Sequence, residues 1–169
     1  LTTHLGRWKA AVKPQKAIAP RPLAAPIVAL VHRSGAPQSV VRIGRAAAAA
    51  TGLTPAAAAA DDLANTAVGG TFASRLNSKL REQLGYTYGA FSTYWRSRWA
   101  GSWALASSIR TDVTVAGIRE ALTIIADLGK QPLPPAELAK AKALIQRSLP
   151  QDFETNGGIA GAFAAVVAD

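Results

Sequence analysis

Residues 69–89 read GGTFASRLNSKLREQLGYTYG, and the apolar spacing of this segment changes from four to two at Gly85. The two opening glycines allow a tight backbone turn. Apolar residues then recur at every fourth position, which predicts one hydrophobic side of a helix: Phe72, Leu76, Leu80 and Leu84. Gly85 follows this run, where a helix commonly ends in a left-handed residue. The segment therefore predicts a helix that turns sharply into a strand.

The strand predicted after this turn brings two candidate functional side chains together. By strict alternation, Tyr86, Tyr88 and Ala90 share one face of the strand. The other face carries Thr87, Gly89 and Phe91. Arg81, in the last helical turn, then lies one tight corner away from Tyr88. A guanidinium and a phenol can converge there on one substrate carbonyl or carboxylate.

Each member of this pair also has a purely structural explanation. A cation near a helix C-terminus, such as Arg81, is stabilised by the helix dipole. Tyr88 is an ordinary residue type for a strand. From the residues alone, the structural explanations are favoured.

Alternating and apolar runs predict an α+β fold whose strands come in adjacent pairs. Two hairpins are predicted: Ile27–His32 with Ser39–Arg45, and Tyr86–Trp95 with Trp99–Ile109. Helices are predicted between and after the hairpins: Ala56–Val68, the helix ending at Gly85, Thr111–Leu128, Glu137–Leu149 and Thr155–Val167. The last of these helices should face inward with Ile159, Phe163 and Val166. We therefore expect a mostly antiparallel four-stranded sheet with helices packed on one face, in the order ββααββααα.

A proline-rich stretch predicts a domain boundary near the start of the chain. Its prolines forbid a continuous helix across residues 10–26 and stiffen an extended path: Pro14, Pro20, Pro22 and Pro26. Residues 1–9 predict the tail of a helix. We interpret residues 1–26 as the end of a preceding domain plus a linker, and residues 27–169 as one domain. Because the sequence begins without Met, we expect it to be a piece of a longer protein.

The composition is that of a folded domain with a basic surface. Of the 169 residues, 49% are hydrophobic and 17% charged, which excludes disorder as the main state. The net charge of +9 is compatible with a nucleic acid, an anionic membrane surface or an acidic partner. The charges are scattered rather than clustered, which favours a solvated surface. No apolar run predicts a membrane span, and the absence of cysteine excludes disulfides.

The sequence predicts no metal site in this chain. A hydrolytic zinc site needs about three protein ligands and an open position for water. The two histidines, His4 and His32, stand in no helical spacing with a pair of carboxylates. Asp61 and Asp62 have no third acidic neighbour and are interpreted as a solvated helix face. Cysteine catalysis is excluded, and no local Ser-His-Asp signature is present.

The segment that begins at Gly69 also carries a family resemblance. Its pattern Gly-Gly-x-Phe-x-Ser-Arg-Leu, followed by Leu-Arg-Glu-Gln-x-Gly-Tyr-x-Tyr, resembles the C-terminal, non-zinc half of insulinase/pitrilysin-type zinc metallopeptidases. These are inverzincins, and the likeness is to their bacterial, processing-peptidase-like kind. Further motifs stand in the order of that family: residues 35–39 leading to Arg42-Ile43-Gly44, then Arg110-Thr111-Asp112 and Phe153-Glu154-Thr155. The resemblance spans roughly residue 27 to the C-terminus, and its motifs are specific as a set.

The resemblance implies an active site shared between two halves. In the family, an Arg/Tyr pair from the C-terminal half faces zinc bound on the N-terminal half, and its spacing matches Arg81 and Tyr88 as catalytic residues. Tyr86 is the next candidate if the register of the corner differs. Gly69 and Gly70 let the chain pass close to substrate or to the facing half, or else form a simple turn between helices. The resemblance further implies a zinc-bearing domain or subunit as partner, a peptide as substrate, and no cofactor in this chain.

The leading hypothesis is therefore the substrate-binding, non-zinc half of a zinc metallopeptidase, inactive when alone. The first alternative is a catalytically inactive scaffold of the same fold. The second is a single-stranded nucleic-acid-binding module, because residues 94–99 and Trp103 mix aromatic and basic side chains on a hairpin. A nucleic-acid partner is not favoured. The bacterial periplasm and the cytoplasm are both compatible with the sequence.

Overall fold

The sheet has three antiparallel strands in the computed structural model, which describes residues 3, 6 and 24–168 and the side chains of that range up to residue 164. The strands are β1 (Gln38–Ala47), β2 (Thr87–Arg96) and β3 (Gly101–Arg110). β3 lies in the middle, in the order β1-β3-β2. Apart from residues 3 and 6, the helix tail predicted in residues 1–9 lies outside the described residues, as does most of the predicted linker. The domain boundary before Ile27 therefore stays a prediction.

The helices come in two groups, one between β1 and β2 and one after β3. Within the described range the α-helices are α1 (Pro55–Asn65), α2 (Arg75–Asn77), α3 (Thr114–Leu128), α4 (Pro135–Ser148) and α5 (Asn156–Ala168). Wider π-helical turns continue the first two, namely Thr66–Gly70 after α1 and Ser78–Gln83 after α2. Short 3₁₀ turns cover Ala50–Gly52, Thr111–Val113 and Leu149–Phe153. The Thr54 hydroxyl caps α1 by accepting from the Ala57 amide at 3.2 Å.

The antiparallel α+β architecture is confirmed, but the prediction of a four-stranded sheet is wrong by one strand. Ile27–His32, the first predicted strand, has no regular secondary structure and pairs with no strand of the described chain. The observed order is therefore βααββααα instead of ββααββααα. The large apolar side chains of this segment are 73% to 93% exposed: Ile27, Val28, Leu30 and Val31. An apolar run becomes a strand only where a partner can satisfy its backbone groups, and the composition of the run does not reveal whether one is present.

The second predicted hairpin is present as β2 and β3, and β3 begins later than predicted. β3 begins at Gly101, so Trp99 lies in the turn and is 50% exposed, although the pattern predicts it on the strand. The backbone N–H of Ser97 donates to the Ala100 carbonyl at 2.7 Å and closes this turn. The turn therefore takes up residues that alternation alone assigns to a strand.

The core lies between the helices and one face of the sheet. Its buried apolar members come from both layers: Val68, Leu76, Leu80, Ala90, Trp103, Leu105 and Ala121. Leu76 and Leu80 are fully buried, and truncation of such a leucine to alanine costs about 2–5 kcal/mol. The opposite face of the sheet leaves Val40, Phe91 and Trp95 exposed. Because Leu80 and Ala90 belong to this core, the Ser78–Gln83 turns are held against β2.

The last helix does not turn its apolar side inward as predicted. Ile159 and Phe163 are 37% and 67% exposed, and the side chain of Val166 lies outside the described range. The main contact of α5 within the described chain is with the Leu149–Phe153 turn. Apolar periodicity shows which side of a helix can be buried, but it does not show what covers that side.

Candidate functional site

The corner between the π-helical turns and β2 is built around a left-handed glycine. Gly85 has φ +62°, the conformation that the sequence predicts for it. Its N–H donates to the Arg81 carbonyl at 3.2 Å, and the N–H of Tyr86 donates to the Leu80 carbonyl at 2.8 Å. These bonds satisfy the last carbonyls of the helix. They also place Arg81 directly beside the start of β2.

A β-bulge at the start of β2 sets the direction of Tyr88. Thr87 pairs with Ile109, and Ala90 pairs with Ser107, so Tyr88 and Gly89 together occupy the position opposite a single residue of β3. The Thr87 hydroxyl accepts from the Gly89 amide at 3.1 Å, which satisfies one backbone group of the bulge.

This bulge overturns one prediction about the strand faces. Tyr88 is 87% exposed while Ala90 is fully buried, so the two side chains do not share a face. The bulge inserts an extra residue and breaks the two-residue period on which that prediction depended. Gly89 is the sequence signal that could have revealed it, because a glycine inside a strand pattern often marks a bulge.

The corner forms a cleft that gathers three of the predicted site residues. Arg81, Tyr86 and Tyr88 line it together, and its volume is about 380 Å³. Gln38 at the start of β1 and Arg110 at the end of β3 also line it, together with Gly85 and Thr87. None of the described residues that line this cleft is acidic. The cleft therefore presents hydrogen-bond donors and positive charge.

Arg81 is held by an aromatic ring. The guanidinium carbon lies 4.1 Å from the centroid of the Phe72 ring, a cation–π distance. An Nη atom of Arg81 also comes within 4.0 Å of a Glu82 carboxylate oxygen. Phe72 is 53% exposed and precedes α2, so its predicted place on the buried helix stripe is wrong. Periodicity assigned Phe72 to the core, and nothing in the pattern indicated that it contacts Arg81.

Arg110 is oriented by a carboxylate two residues further along the chain. Its Nε and one Nη donate to the two carboxylate oxygens of Asp112 at 3.1 and 2.8 Å. The hydrogen bond from Arg110 holds the pKa of Asp112 below its ordinary value, and Asp112 raises the pKa of Arg110. The pair is solvent-exposed, so it orients the guanidinium more than it stabilises the fold. The Arg110-Thr111-Asp112 motif carries the family resemblance, but the sequence pattern does not indicate that Arg110 lies at this cleft.

Asn77 anchors β2 immediately after the bulge. Its amide Nδ2 donates to the Ala90 carbonyl at 3.0 Å, and its Oδ1 accepts from the Ala90 N–H at 2.9 Å. Nδ2 also donates to the Thr71 carbonyl at 3.1 Å. The side chain is fully buried. Asn77 thus ties the chain near Phe72 to the strand that carries Tyr88, a role that the sequence pattern does not reveal.

Gly69 and Gly70 lie away from this cleft. A Cβ on Gly69 would come within 2.7 Å of Leu76 Cδ1 and 2.8 Å of the Ser92 backbone nitrogen. A Cβ on Gly70 would come within 3.0 Å of Asn65 Nδ2. Both glycines therefore allow close packing of the Thr66–Gly70 turn. Neither lines the cleft that contains Arg81.

A second cleft, of about 690 Å³, lies between the Ser78–Gln83 turns, α3 and α4. The Arg75 Nε donates to Glu137 Oε1 at 2.7 Å across it, and this hydrogen bond raises the pKa of Arg75. Lys79, Glu120 and Asp127 add charges of both signs to its lining. The Arg75–Glu137 pair thus links α2 to α4 across a cleft that is lined by charged side chains.

The described residues offer no metal centre. No group of three histidine, cysteine, aspartate or glutamate side chains within them could hold an ion. Asp61 and Asp62 both accept from Arg96 at 2.9 Å, so these carboxylates pair with a strand arginine. His32 is exposed. In the described part of the chain, no helix has the length and apolar character needed to cross a membrane.

The α+β architecture is that of a peptidase-family domain. The family model of the peptidase M16 inactive domain matches residues 1–145, and the chain belongs to this family. The resemblance that the sequence carries to the non-zinc half of these metallopeptidases is therefore confirmed. No curated protein gave a match to the chain.

Three solved structures illustrate the similarity in fold. The peptidase M16 inactive domain from Pseudomonas fluorescens is 25% identical, with a TM-score of 0.67 over 76% of this chain and 30% of that one. A protease from Helicobacter pylori is 22% identical, with a TM-score of 0.72 over 82% and 33%. A conserved protein from Enterococcus faecalis V583 is 18% identical, with a TM-score of 0.64 over 90% and 33%. The chain thus spans about a third of the length of these relatives.

Proposed function

We propose that this chain is the substrate-binding, non-zinc half of a zinc metallopeptidase, and that Arg81 and Tyr88 contact the peptide at the scissile bond. The hydrolytic zinc is then carried by another domain or subunit, because the described residues do not fit a zinc site. Membership of the peptidase M16 inactive domain family supports a partner of this kind. The observation that carries the proposal is that Arg81 and Tyr88 line one basic cleft.

The two side chains suit different parts of the reaction. The Arg81 guanidinium offers a planar set of donors to a peptide carbonyl or carboxylate. The Tyr88 phenol donates to the oxyanion that develops on the scissile carbonyl as water attacks it. Tyr88 is 87% exposed in this chain, so its hydroxyl is available to a peptide held against the cleft. Tyr86 lines the same cleft and contacts the bound peptide beside them.

Cleavage by the reconstituted enzyme tests this proposal. The chain is mixed with a zinc-bearing half, and kcat/KM for a peptide is measured for the parent chain, Arg81→Ala and Tyr88→Phe. Each variant should lose about 10- to 100-fold, because each removes one hydrogen bond to developing or existing negative charge.

Arg119→Ala is the matched control for this experiment. Arg119 is exposed on α3 and lines neither cleft, so its loss removes one positive charge without touching the site. Its kcat/KM should stay within about twofold of the parent value. Cleavage that is insensitive to both Arg81→Ala and Tyr88→Phe would remove the proposed catalytic role and leave the scaffold alternative.

The structure weakens the nucleic-acid alternative. Trp103 is 8% exposed and belongs to the core, so it cannot stack on a base. Arg96 is engaged by Asp61 and Asp62. Trp95 and Trp99 remain exposed, and Arg98 lies 5.1 Å from the Trp99 ring, so the turn keeps one aromatic–basic pair but not the extended surface that the sequence suggests. We therefore carry the peptidase proposal alone.

A further inference from the structure

We propose that the cleft beside Arg81 binds a carboxylate of the peptide and that Arg110 is its second cationic contact. This inference rests on the proposed function and names the substrate class of the same site. The carboxylate belongs either to an acidic side chain or to the C-terminus of the peptide. Both sources present the same planar anion to the cleft.

The lining of the cleft selects for an acceptor-rich ligand. Two guanidinium groups, Arg81 and Arg110, stand beside two phenols and the amide of Gln38. These groups offer many donors, of which Asp112 takes two from Arg110, and none of the described residues that line the cleft is acidic. A neutral peptide can use some of these donors through its carbonyls, but only an anion also gains from the two positive charges.

Arg110 keeps donors available although it is paired. Asp112 occupies Nε and one Nη, so the remaining guanidinium N–H groups have no partner among the residues that the structure describes. Asp112 offsets part of the charge of Arg110, and it also fixes the plane of the guanidinium. Arg81 has a more distant anionic neighbour, with an Nη atom 4.0 Å from a Glu82 carboxylate oxygen, so less of its charge is offset.

Both guanidinium groups are oriented before a ligand arrives. Phe72 supports Arg81 at 4.1 Å, and Asp112 holds Arg110 through two hydrogen bonds. Orientation in advance reduces the side-chain entropy that binding would otherwise cost. The volume of about 380 Å³ suits one side chain or one chain terminus of a peptide.

Titration of the full 169-residue chain with three matched peptides tests the inference. One peptide is blocked at both ends and carries a single internal Glu, the second has Gln there and a C-terminal carboxylate, and the third has Gln and both ends blocked. The readout is the shift of the arginine Nε–Hε NMR signals. At least one carboxylate peptide should bind about tenfold more tightly than the neutral one and shift both Arg81 and Arg110.

The outcomes separate the two sources and the competing anion. Stronger binding of the Glu peptide assigns the cleft to an acidic side chain, and stronger binding of the second peptide assigns it to a C-terminus. Equal binding of all three peptides overturns the inference. A stronger response to inorganic phosphate than to acetate overturns the assignment to a carboxylate.

Variants at Arg110 test its part in the contact. Arg110→Gln should reduce the preference for the carboxylate peptide by about tenfold, and Arg110→Lys, which keeps the charge but loses the planar fork, should give an intermediate value. Arg119→Gln changes the net charge equally and should leave the preference unaltered. Backbone NMR spectra show whether each variant is folded. A folded Arg110→Gln chain with full preference overturns the role of Arg110.

Failure of this inference is distinguishable from failure of the proposed function. If Arg81→Ala abolishes cleavage while neutral and acidic peptides are cleaved equally well, the proposed function stands and the carboxylate preference is wrong. If carboxylate peptides bind selectively but Arg81→Ala leaves kcat/KM unchanged, the catalytic role is wrong and the anion site stands.

Discussion

Arg81 is held at the cleft by a combination of weak interactions. The ring of Phe72 lies 4.1 Å from the guanidinium carbon, and an exposed cation–π contact of this kind is worth about 0.5–1 kcal/mol. The partly exposed pair with Glu82, at 4.0 Å, contributes about as little. The value of Phe72 therefore lies in the position it gives to Arg81 rather than in the stability of the fold.

Phe72→Leu tests this positioning role. The variant should lower kcat/KM of the reconstituted enzyme by about 3- to 10-fold, because the guanidinium loses the ring that orients it. The free energy of unfolding should change by less than about 1 kcal/mol, since Phe72 is half-exposed. Chemical denaturation and peptide cleavage provide the two measurements.

Phe72→Tyr is the rescue control for that substitution. It keeps an aromatic face under the guanidinium and should restore most of the activity lost in the leucine variant. If leucine performs as well as phenylalanine, or tyrosine fails as leucine does, Phe72 does not position Arg81.

At the residue scale, the sequence predicts that Arg81 and Tyr88 lie close together, but it does not predict that Phe72 contacts Arg81. Gly85 and the change of period place Arg81 near Tyr88, and the structure has both in one cleft. Phe72 fits the four-residue spacing, yet α2 begins only at Arg75. A spacing rule records positions along a chain, and it cannot tell that the chain bends before the helix begins.

At the scale of the element, β2 depends on a side chain from another segment. The bulge at Tyr88 and Gly89 leaves the strand without regular pairing at its start, and Asn77 bonds both backbone groups of Ala90 just beyond it. The two-residue alternation of a strand cannot predict this arrangement. The bulge inserts an extra residue, and the side-chain amide that bonds the Ala90 backbone belongs to Asn77 in α2.

Asn77→Leu should destabilise the chain by about 2–6 kcal/mol. The substitution leaves the N–H and C=O of Ala90 buried without their partners, and each such group costs about 1–3 kcal/mol. Urea denaturation gives the free energy of unfolding, and the reconstituted enzyme should also lose activity as Tyr88 is displaced.

Asn156→Leu serves as the comparison for that substitution. Asn156 is exposed at the start of α5, so its replacement should change the free energy of unfolding by no more than about 0.5 kcal/mol. Equal effects at positions 77 and 156 would show that the buried amide does not anchor β2.

At the scale of the whole molecule, the C-terminal helices are attached by few buried contacts. Ala141 is the one residue of α4 that is buried within the described chain. The Arg75–Glu137 pair, whose side chains are 30% and 25% exposed, ties this helix to α2. Packing at this scale also decides the fate of two apolar segments, Ile27–His32 and α5, whose large apolar side chains are exposed. The sequence of each segment shows that it is apolar, but it does not show whether another part of the molecule packs against it.

Glu137→Gln should loosen α4 more than it destabilises the fold. Hydrogen exchange of the α4 amides should become several-fold faster, because the helix opens locally once its charged link to Arg75 is weakened. The global free energy of unfolding should fall by no more than about 1 kcal/mol, since the pair is partly exposed to solvent.

Glu154→Gln provides the control for the exchange experiment. Glu154 is exposed and takes part in no ion pair among the described residues, so exchange in α4 should not change. Faster exchange in both variants would point to a general effect of lost negative charge and not to the link with Arg75.

The anchoring of β2 by asparagines also bears on how molecules of this protein meet one another. β2 is an edge strand, and an exposed edge is a template for aggregation. Asn77 already occupies both backbone groups of Ala90 that point outward, and Asn65 donates to the Ser92 carbonyl at 3.1 Å. A strand from a second molecule would have to displace these amides before it could pair there. Intermolecular sheet growth is therefore hindered along the middle of this edge, close to the cleft beside Arg81.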